Sequence, residues 1–113
     1  MKDTSIHLRS RFQISRVDPR IFGGFLEHLG RAVYEGIYDP HSAHANEDDF
    51  RTDVLDAMKR LRYTEMRYPE GNFVFDYHWM DGVGPRDQRP TVRDLAWQST
   101  EPNQISTDGY ITL

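Results

Sequence analysis

The chain of 113 residues contains no cysteine, which excludes disulfide bonds and thiolate metal sites. It also lacks any apolar run near the ~20 residues that a membrane-spanning helix needs. Its first ten residues contain no apolar stretch typical of a signal peptide, so we expect a cytoplasmic protein without a membrane partner. Positive charge is not in excess, because the formal net charge is -4, and a nucleic-acid partner is therefore not expected.

Hydrophobic residues are scarce as well, at 37% of the chain, and the mean hydropathy is -0.75. A typical soluble domain has roughly 45–50% apolar residues when glycine is counted. Because a chain of this length buries only a modest share of its surface, the sequence predicts one domain at most, with a small core.

The first part of the chain has the sequence patterns of β-strands. Residues 6–17 alternate between apolar and polar side chains, which predicts one half-buried strand or two short ones. Asp18-Pro19 ends this segment with a turn. Residues 21–26 form an almost uniformly apolar run, which predicts a strand buried on both faces.

A helix is predicted after a polar loop, with Asp48 or Asp49 as its N-cap. Basic side chains fall in its last turn, where they complement the helix dipole. A second strand is predicted over 63–68, ended by Pro69, and a short helix over 94–98. The apolar stripe of the first helix consists of Phe50, Val54, Met58 and Leu61, at spacings of four, four and three.

Strand, helix and strand in this order predict a βαβ unit with two parallel strands. In barrels built from such units, the functional site forms at the C-terminal ends of the strands. Both predicted strands end in polar residues: Glu27-His28 follows the first, and Glu70-Gly71-Asn72 follows the second. The long aromatic-rich and glycine-rich loop over 73–90 is of a kind that often carries function. These residues therefore mark a candidate site.

The residues alone leave the roles at this site open. Glu27 suits hydrogen bonds to sugar hydroxyls or the orientation of another acid, but it also suits an ion pair with Arg31 or Arg67. His28 fits an acid/base group or a structural histidine. Asn72 fits a hydroxyl ligand, or a turn residue that bonds its own backbone.

Two further motifs carry weak signals. His41 and His44 have a metal-like spacing, but they sit in a polar loop without further ligands. The glycine-rich loop over 81–85 lacks the Lys-Ser/Thr of a phosphate-binding loop. We expect neither a metal nor a cofactor.

Short motifs stand in order along nearly the whole chain, and together they resemble one family. They are Asp18-Pro19-Arg20-Ile21-Phe22-Gly23, Phe25-Leu26-Glu27-His28-Leu29-Gly30-Arg31, Tyr34-Glu35-Gly36-Ile37, Asp53-Val54-Leu55, Arg67-Tyr68-Pro69, Gly71-Asn72-Phe73, Tyr77-His78-Trp79, Asp81-Gly82-Val83-Gly84-Pro85, Arg93-Asp94-Leu95-Ala96-Trp97 and Asn103-Gln104. The set resembles glycoside hydrolase family 51, the α-L-arabinofuranosidases.

The resemblance implies an α/β fold, a (β/α)8 TIM barrel accompanied by a β-sandwich. Residues 1–17 would supply one or more β-sandwich strands, and residues 18–113 the first βα units of an incomplete barrel. It also implies retaining, exo-acting hydrolysis of arabinofuranosyl groups in arabinose-containing oligosaccharides or polysaccharides, by a full-length parent that forms homo-oligomers. The nucleophile and the acid/base would be two glutamates beyond Leu113, so no catalytic residue is expected here and the chain alone is expected to be inactive.

Three residues carry over as substrate-binding residues. Glu27 resembles a family glutamate that hydrogen-bonds the arabinose, Asn72 matches a position that touches the sugar, and Trp97 resembles an aromatic wall near the leaving group. One departure affects this pocket, because Glu70 stands where the family usually has the first of two glycines. A side chain is costly there if the position needs positive φ.

The C-terminal residues are a blurred version of the family pattern, so a truncated or fragmentary copy is expected. Two alternatives stay open. The chain could be a non-catalytic remnant or sugar-binding piece that needs a partner, or the front of an endo-β-glucanase of the same family.

Overall fold

The computed structural model describes residues 2–69 and 71–113, and within this range it contains two α-helices and two separate pairs of short strands. Their bounds are β1 Gly24–Phe25, α1 Thr52–Leu61, β2 Met66–Arg67, β3 Val92–Asp94, β4 Ser99–Glu101 and α2 Thr107–Ile111. Short 3-10 helices fill much of the rest, at Ser10–Phe12, Pro19–Phe22, Gly71–Asp76, Trp79–Gly82 and Arg86–Gln88.

The predicted strand–helix–strand unit is confirmed, since β1 and β2 pair in parallel on either side of α1. Gly24 is in register with Met66, and Phe25 with Arg67. The predicted burial of the first strand on both faces is wrong, because Phe25 is 66% exposed. A strand is buried on both faces only where other layers cover it, and no described residue covers this face.

Helix α1 is confirmed in place, but its predicted cap is wrong. The helix begins at Thr52, and Asp49 lies outside it with a left-handed φ of 69°. The cause is Asn46, whose side-chain oxygen accepts the backbone N–H of Asp48 at 3.0 Å and that of Phe50 at 2.8 Å. This local hydrogen bonding holds the aspartates in a turn that precedes the helix.

The core lies where α1 meets the loop after β1 and the C-terminal segment. Its five buried apolar residues come from the segment between β1 and α1 and from the C-terminal segment, and they contact one another. Leu26, which follows β1, and Val54, Leu55 and Met58 of α1 pack around them. The cluster consists of Val33, Ile37, Tyr38, Phe50 and Ile105.

The strand predicted over 6–17 is not formed in the described residues, which place only a 3-10 turn at Ser10–Phe12 there. Ile6, Leu8 and Ile14 are 83%, 90% and 98% exposed. A strand needs a neighbouring strand to pair its backbone groups, and none of the described residues provides one. The assignment of 1–17 to a β-sandwich and of 18–113 to a barrel stays a prediction, with Met1 outside the described residues.

The short helix predicted over 94–98 is also wrong, because this segment is the turn of a β-hairpin. Strands β3 and β4 pair antiparallel, with Val92 opposite Glu101 and Asp94 opposite Ser99. The turn closes with Gln98 in a left-handed conformation, φ 56°.

The shape of the chain is open rather than closed around one core. The radius of gyration is 19.0 Å, compared with about 13 Å for a compact domain of this length. Large apolar side chains such as Phe22, Phe75 and Trp79 are more than half exposed. The described sheets have two strands each and are not closed, as expected for a part of a barrel. None of the described helices is long and apolar enough to cross a membrane.

Candidate functional site

Glu27 lies just beyond the C-terminal end of β1, and 9% of the residue is exposed. The sheet holds the preceding backbone, because Leu26 N–H donates to the Arg67 carbonyl at 3.1 Å. The Glu27 carboxylate accepts two hydrogen bonds on Oε1, from the indole N–H of Trp97 at 3.0 Å and from the backbone N–H of Phe73 at 3.4 Å. Glu27, one of the polar residues predicted at this edge of the sheet, is therefore held in a defined position by Trp97 and Phe73.

Trp97 reaches Glu27 from the turn between β3 and β4, 70 positions further along the chain. The buried Asp94 shapes this turn: its carboxylate accepts the backbone N–H of Ala96 at 3.0 Å and that of Trp97 at 3.1 Å, and the hydroxyl of Ser99 at 3.1 Å. The indole is 38% exposed. A tryptophan with its N–H paired and part of its ring open can present an apolar face to a ligand.

Asn72 is exposed in the first turn of the 3-10 helix Gly71–Asp76, and no hydrogen bond joins it to Glu27 or Trp97 among the described residues. Its two neighbours do approach Glu27: Phe73 by its backbone N–H, and Gly71 by its α-carbon. Of the three predicted substrate-binding residues, two therefore meet directly and the third lies beside them.

Gly71 fits tightly against the carboxylate of Glu27. Its φ is +69°, and a Cβ atom at this position would lie 2.2 Å from both Cδ and Oε1 of Glu27. Such contacts are far below van der Waals separation, so only glycine fits without displacing the carboxylate. The preceding Glu70, the departure from the family pattern, lies outside the described residues.

A buried polar network lies behind this site, around the carboxylate of Glu101. Nδ1 of His28 lies 2.7 Å from one of its oxygens, and the backbone N–H of Asn103 donates to the other at 2.7 Å. The hydroxyl of Tyr34 also donates to this second oxygen. His28 stacks on the ring of Phe73, with centroids 4.3 Å apart and planes 11° apart. The structure therefore places His28 in the interior, which favours its structural interpretation over an acid/base role.

Two tyrosines beside this network are held in their protonated form. Burial, reinforced by the Glu101 carboxylate, raises the pKa of Tyr34 well above its ordinary value, so its hydroxyl remains a donor. Burial also raises the pKa of Tyr68, whose hydroxyl lies 3.3 Å from that of Tyr77. Neither phenol is suited to act as a base.

Glu101, Asn103 and Asp94 were not selected from the sequence, although all three are buried and hold the site together. For Asp94 a signal existed, because an aspartate at the start of a short loop often accepts the next backbone N–H groups. For Glu101 there was none, since its partners His28 and Tyr34 are 73 and 67 positions away.

The described part of the chain contains no group of three or more His, Asp or Glu side chains that could hold a metal ion. His44 instead takes part in the turn before α1, where its backbone carbonyl accepts hydrogen bonds from the backbone N–H and the hydroxyl of Thr52.

Comparison with known proteins places this geometry in a larger context. The chain is 53% identical over 107 residues to α-L-arabinofuranosidase C of Emericella nidulans, covering 95% of this chain and 21% of that protein. It is 52% identical to an exo-α-(1→6)-L-arabinofuranosidase of Bifidobacterium longum, covering 93% of this chain and 20% of that protein. No family model matches the chain.

Solved structures agree. A thermostable family 51 α-L-arabinofuranosidase from Thermotoga petrophila superimposes with a TM-score of 0.85 at 49% identity, over 88% of this chain and 21% of that structure. The chain thus spans about a fifth of the length of its relatives. The class of protein to which the chain is similar is therefore the glycoside hydrolases. Over this fifth of their length the chain is similar to α-L-arabinofuranosidases, and the solved structures among them include glycoside hydrolase family 51 enzymes.

Proposed function

We propose that this chain is the N-terminal, sugar-binding part of a retaining, exo-acting α-L-arabinofuranosidase that acts on arabinose-containing oligosaccharides or polysaccharides. The observation that carries the proposal is the 3.0 Å hydrogen bond between Trp97 and Glu27. It joins two residues that the family resemblance assigns separately to the arabinose and to the leaving-group side. Because Glu27 and Trp97 are in direct contact, the arabinose side and the leaving-group side form one continuous surface.

The chemistry of this surface is recognition rather than bond cleavage. The acceptor-only carboxylate of Glu27 can hold sugar hydroxyls in charge-assisted hydrogen bonds. The indole of Trp97 offers an apolar face, and Asn72 adds an exposed amide that can both donate and accept. A retaining glycosidase also needs two carboxyl groups about 5–5.5 Å apart, as nucleophile and acid/base. These belong, in this proposal, to segments of the parent that the chain does not contain.

The parent is proposed to be cytoplasmic and, as the family resemblance implies, homo-oligomeric. The family's endo-acting β-glucanases remain the alternative that a substrate screen would test, with aryl arabinofuranosides and β-glucan as the two arms.

The purified 113-residue chain is expected not to hydrolyse arabinofuranosides. Without the two catalytic carboxyl groups, bound sugar has neither a nucleophile nor a proton donor. The release of 4-nitrophenol from 4-nitrophenyl α-L-arabinofuranoside should equal that in buffer. A rate of release above that in buffer, which co-purifies with the chain through chromatography, would contradict the proposal that the catalytic carboxyl groups lie elsewhere in the parent.

The sugar-binding role is tested in a chimera, in which the aligned segment of the Emericella nidulans enzyme is replaced by the corresponding residues of this chain. Glu27→Ala removes the carboxylate and leaves the Trp97 indole N–H without its acceptor. We expect kcat/KM on the aryl arabinofuranoside to fall by roughly 10²–10³-fold, the effect of losing one preorganised polar contact. Glu27→Gln should lose less, because its amide oxygen can still accept from Trp97.

Glu47→Ala is the matched control, since Glu47 is exposed in the loop before α1. It should leave kcat/KM within about twofold, as is usual for surface substitutions. An unchanged kcat/KM for Glu27→Ala, or a folded chimera without any activity, would refute the proposed role.

A further inference from the structure

Two hydrogen bonds join the same two parts of the chain side by side. Glu27 at the end of β1 bonds Trp97, and the next residue, His28, bonds Glu101 at the end of the same hairpin. The first contact lies at the partly exposed surface, whereas the His28 and Glu101 side chains are only 3% and 5% exposed. The buried pair thus lies directly behind the contact that the proposed function uses.

The buried carboxyl group of Glu101 is hydrogen-bonded by three partners. Burying a carboxylate is costly unless hydrogen bonds compensate for the lost water. Here His28, Tyr34 and the backbone N–H of Asn103 all point at its two oxygens. The three donors come from the end of β1, the following loop and the segment after β4, so one side chain fixes three segments relative to each other.

His28 is fixed by both its hydrogen bond and its ring. Because a carboxylate only accepts, Nδ1 of His28 is the donor to Glu101. Its Nε2 is buried without a hydrogen-bond partner among the described residues. The ring is held by its stack on Phe73 and by an edge contact with Tyr34, centroids 5.5 Å apart at 81°.

The same stack connects His28 to the carboxylate of Glu27 by a second route. Phe73 presents its backbone N–H to Oε1 of Glu27 at 3.4 Å while its ring lies against His28. His28 therefore constrains Glu27 through the peptide bond that joins them and through Phe73. Glu101 constrains Trp97 from the other side, since β4 connects the two residues.

We propose that His28 and Glu101 are positioning residues, a buried pair that sets the distance between Glu27 and Trp97 and so the width of the sugar-binding surface. They touch no substrate. This inference deepens the proposed function and depends on it for the purpose of the Glu27–Trp97 contact, but not for the existence of that contact. Hydrogen-bond partners that orient the ligands of a metal ion change affinity or activity by about 10- to 100-fold when removed, and we expect an effect of this order from a pair that orients Glu27 and Trp97.

The test uses the two tryptophans of the 113-residue chain, whose indole N–H groups give separate NMR signals in the 15N-labelled protein. The indole of Trp97 is bonded to Glu27, whereas Trp79 is 61% exposed and serves as an internal reference. We expect Glu101→Ala and His28→Phe each to speed hydrogen exchange at the Trp97 indole by ~10-fold, with no change at Trp79. His41→Phe, at an exposed histidine, is the matched control and should change neither.

Glu101→Gln supplies the rescue. Its amide oxygen can accept from Tyr34 and Asn103, and its NH2 can donate to the other tautomer of His28. The Trp97 exchange rate should return to within about twofold of the unsubstituted chain, which a loss of general stability would not produce. Hydrogen exchange at the backbone amides of α1, measured in the same samples, shows whether a substitution has lowered the stability of the fold.

The proposal is overturned if Trp97 exchange is unchanged in both His28→Phe and Glu101→Ala, or if it rises only as much as exchange in α1. Because no sugar is present, this result is independent of the activity of the chimera. If the chimera is active but neither substitution speeds hydrogen exchange at the Trp97 indole, the positioning role alone is refuted. If both substitutions speed hydrogen exchange at the Trp97 indole as expected but the chimera is inactive, the sugar-binding role alone is refuted.

Discussion

Gly71→Ala is expected to displace the Glu27 carboxylate and to lower kcat/KM of the chimera by at least about 100-fold. A Cβ atom there would lie 2.2 Å from Cδ and Oε1 of Glu27 and 2.3 Å from Oε2. The carboxylate must therefore move, and its hydrogen bonds to Trp97 and Phe73 must lengthen or break. Misplacing a substrate-binding group by ~1 Å can cost this much in rate.

Gly84→Ala separates this effect from backbone strain. Gly84 also has positive φ, +86°, but a Cβ atom there would have no heavy atom within 4 Å. Both substitutions carry the cost of a left-handed alanine, roughly 1–2 kcal/mol, and both should lower the melting temperature by similar amounts from this source. Only Gly71→Ala should lose activity beyond what the melting temperature explains. Equal kcat/KM for the two variants would show that the close approach to Glu27 is not needed.

The parts of the fold that the sequence predicted correctly are those set by local pattern. The four–four–three spacing of the apolar residues in α1 gives an amphipathic helix whatever surrounds it. The order of strand, helix and strand then leaves parallel pairing as the favoured arrangement, as β1 and β2 show. The segments after the two strands approach each other at one edge of this pair, where Gly71 and Phe73 lie against Glu27, because parallel strands end on the same side.

The elements that were predicted wrongly depend on partners or on side-chain hydrogen bonds. Residues 6–17 have the alternation of a strand, but a strand forms only beside another strand, and the described residues offer none. Residues 94–98 close a hairpin instead of forming a helix, because β3 pairs with β4, which follows directly in the chain, and the Asp94 carboxylate accepts two backbone N–H groups of the turn. The start of α1 depends on Asn46, whose side-chain oxygen accepts the backbone N–H groups of Asp48 and Phe50 in the turn before the helix.

The candidate site could be predicted only in part for a related reason. The residues suggested Glu27 and Asn72 from strand ends, and the family resemblance added Trp97. The contact between Glu27 and Trp97 could not be foreseen, because no periodicity relates residues 70 positions apart. Glu101 was missed altogether, since a buried carboxylate looks like any surface glutamate until its three donors are assembled around it.

Phe50→Ala is expected to cost the chain most of its stability. Phe50 is 2% exposed and belongs to the single cluster of buried apolar residues that the structure describes in 2–69 and 71–113. Removing a buried phenylalanine side chain typically costs about 3–5 kcal/mol, through lost burial and the cavity left behind. Native domains have only about 5–15 kcal/mol in total, and a small, lean core favours the lower end. The midpoint of urea unfolding, followed by circular dichroism, should fall sharply.

Phe75→Ala is the matched control, since Phe75 is 87% exposed. The same chemical change there removes no buried surface and should leave the urea midpoint almost unchanged. The core also supports the site, because Ile105 of the cluster follows Asn103, the backbone donor to Glu101, by two positions. Phe50→Ala should therefore speed hydrogen exchange at the Trp97 indole as well as in α1, unlike the His28 and Glu101 substitutions, which should affect Trp97 selectively. Equal urea midpoints for the two phenylalanine variants would mean that this cluster does not hold the chain together.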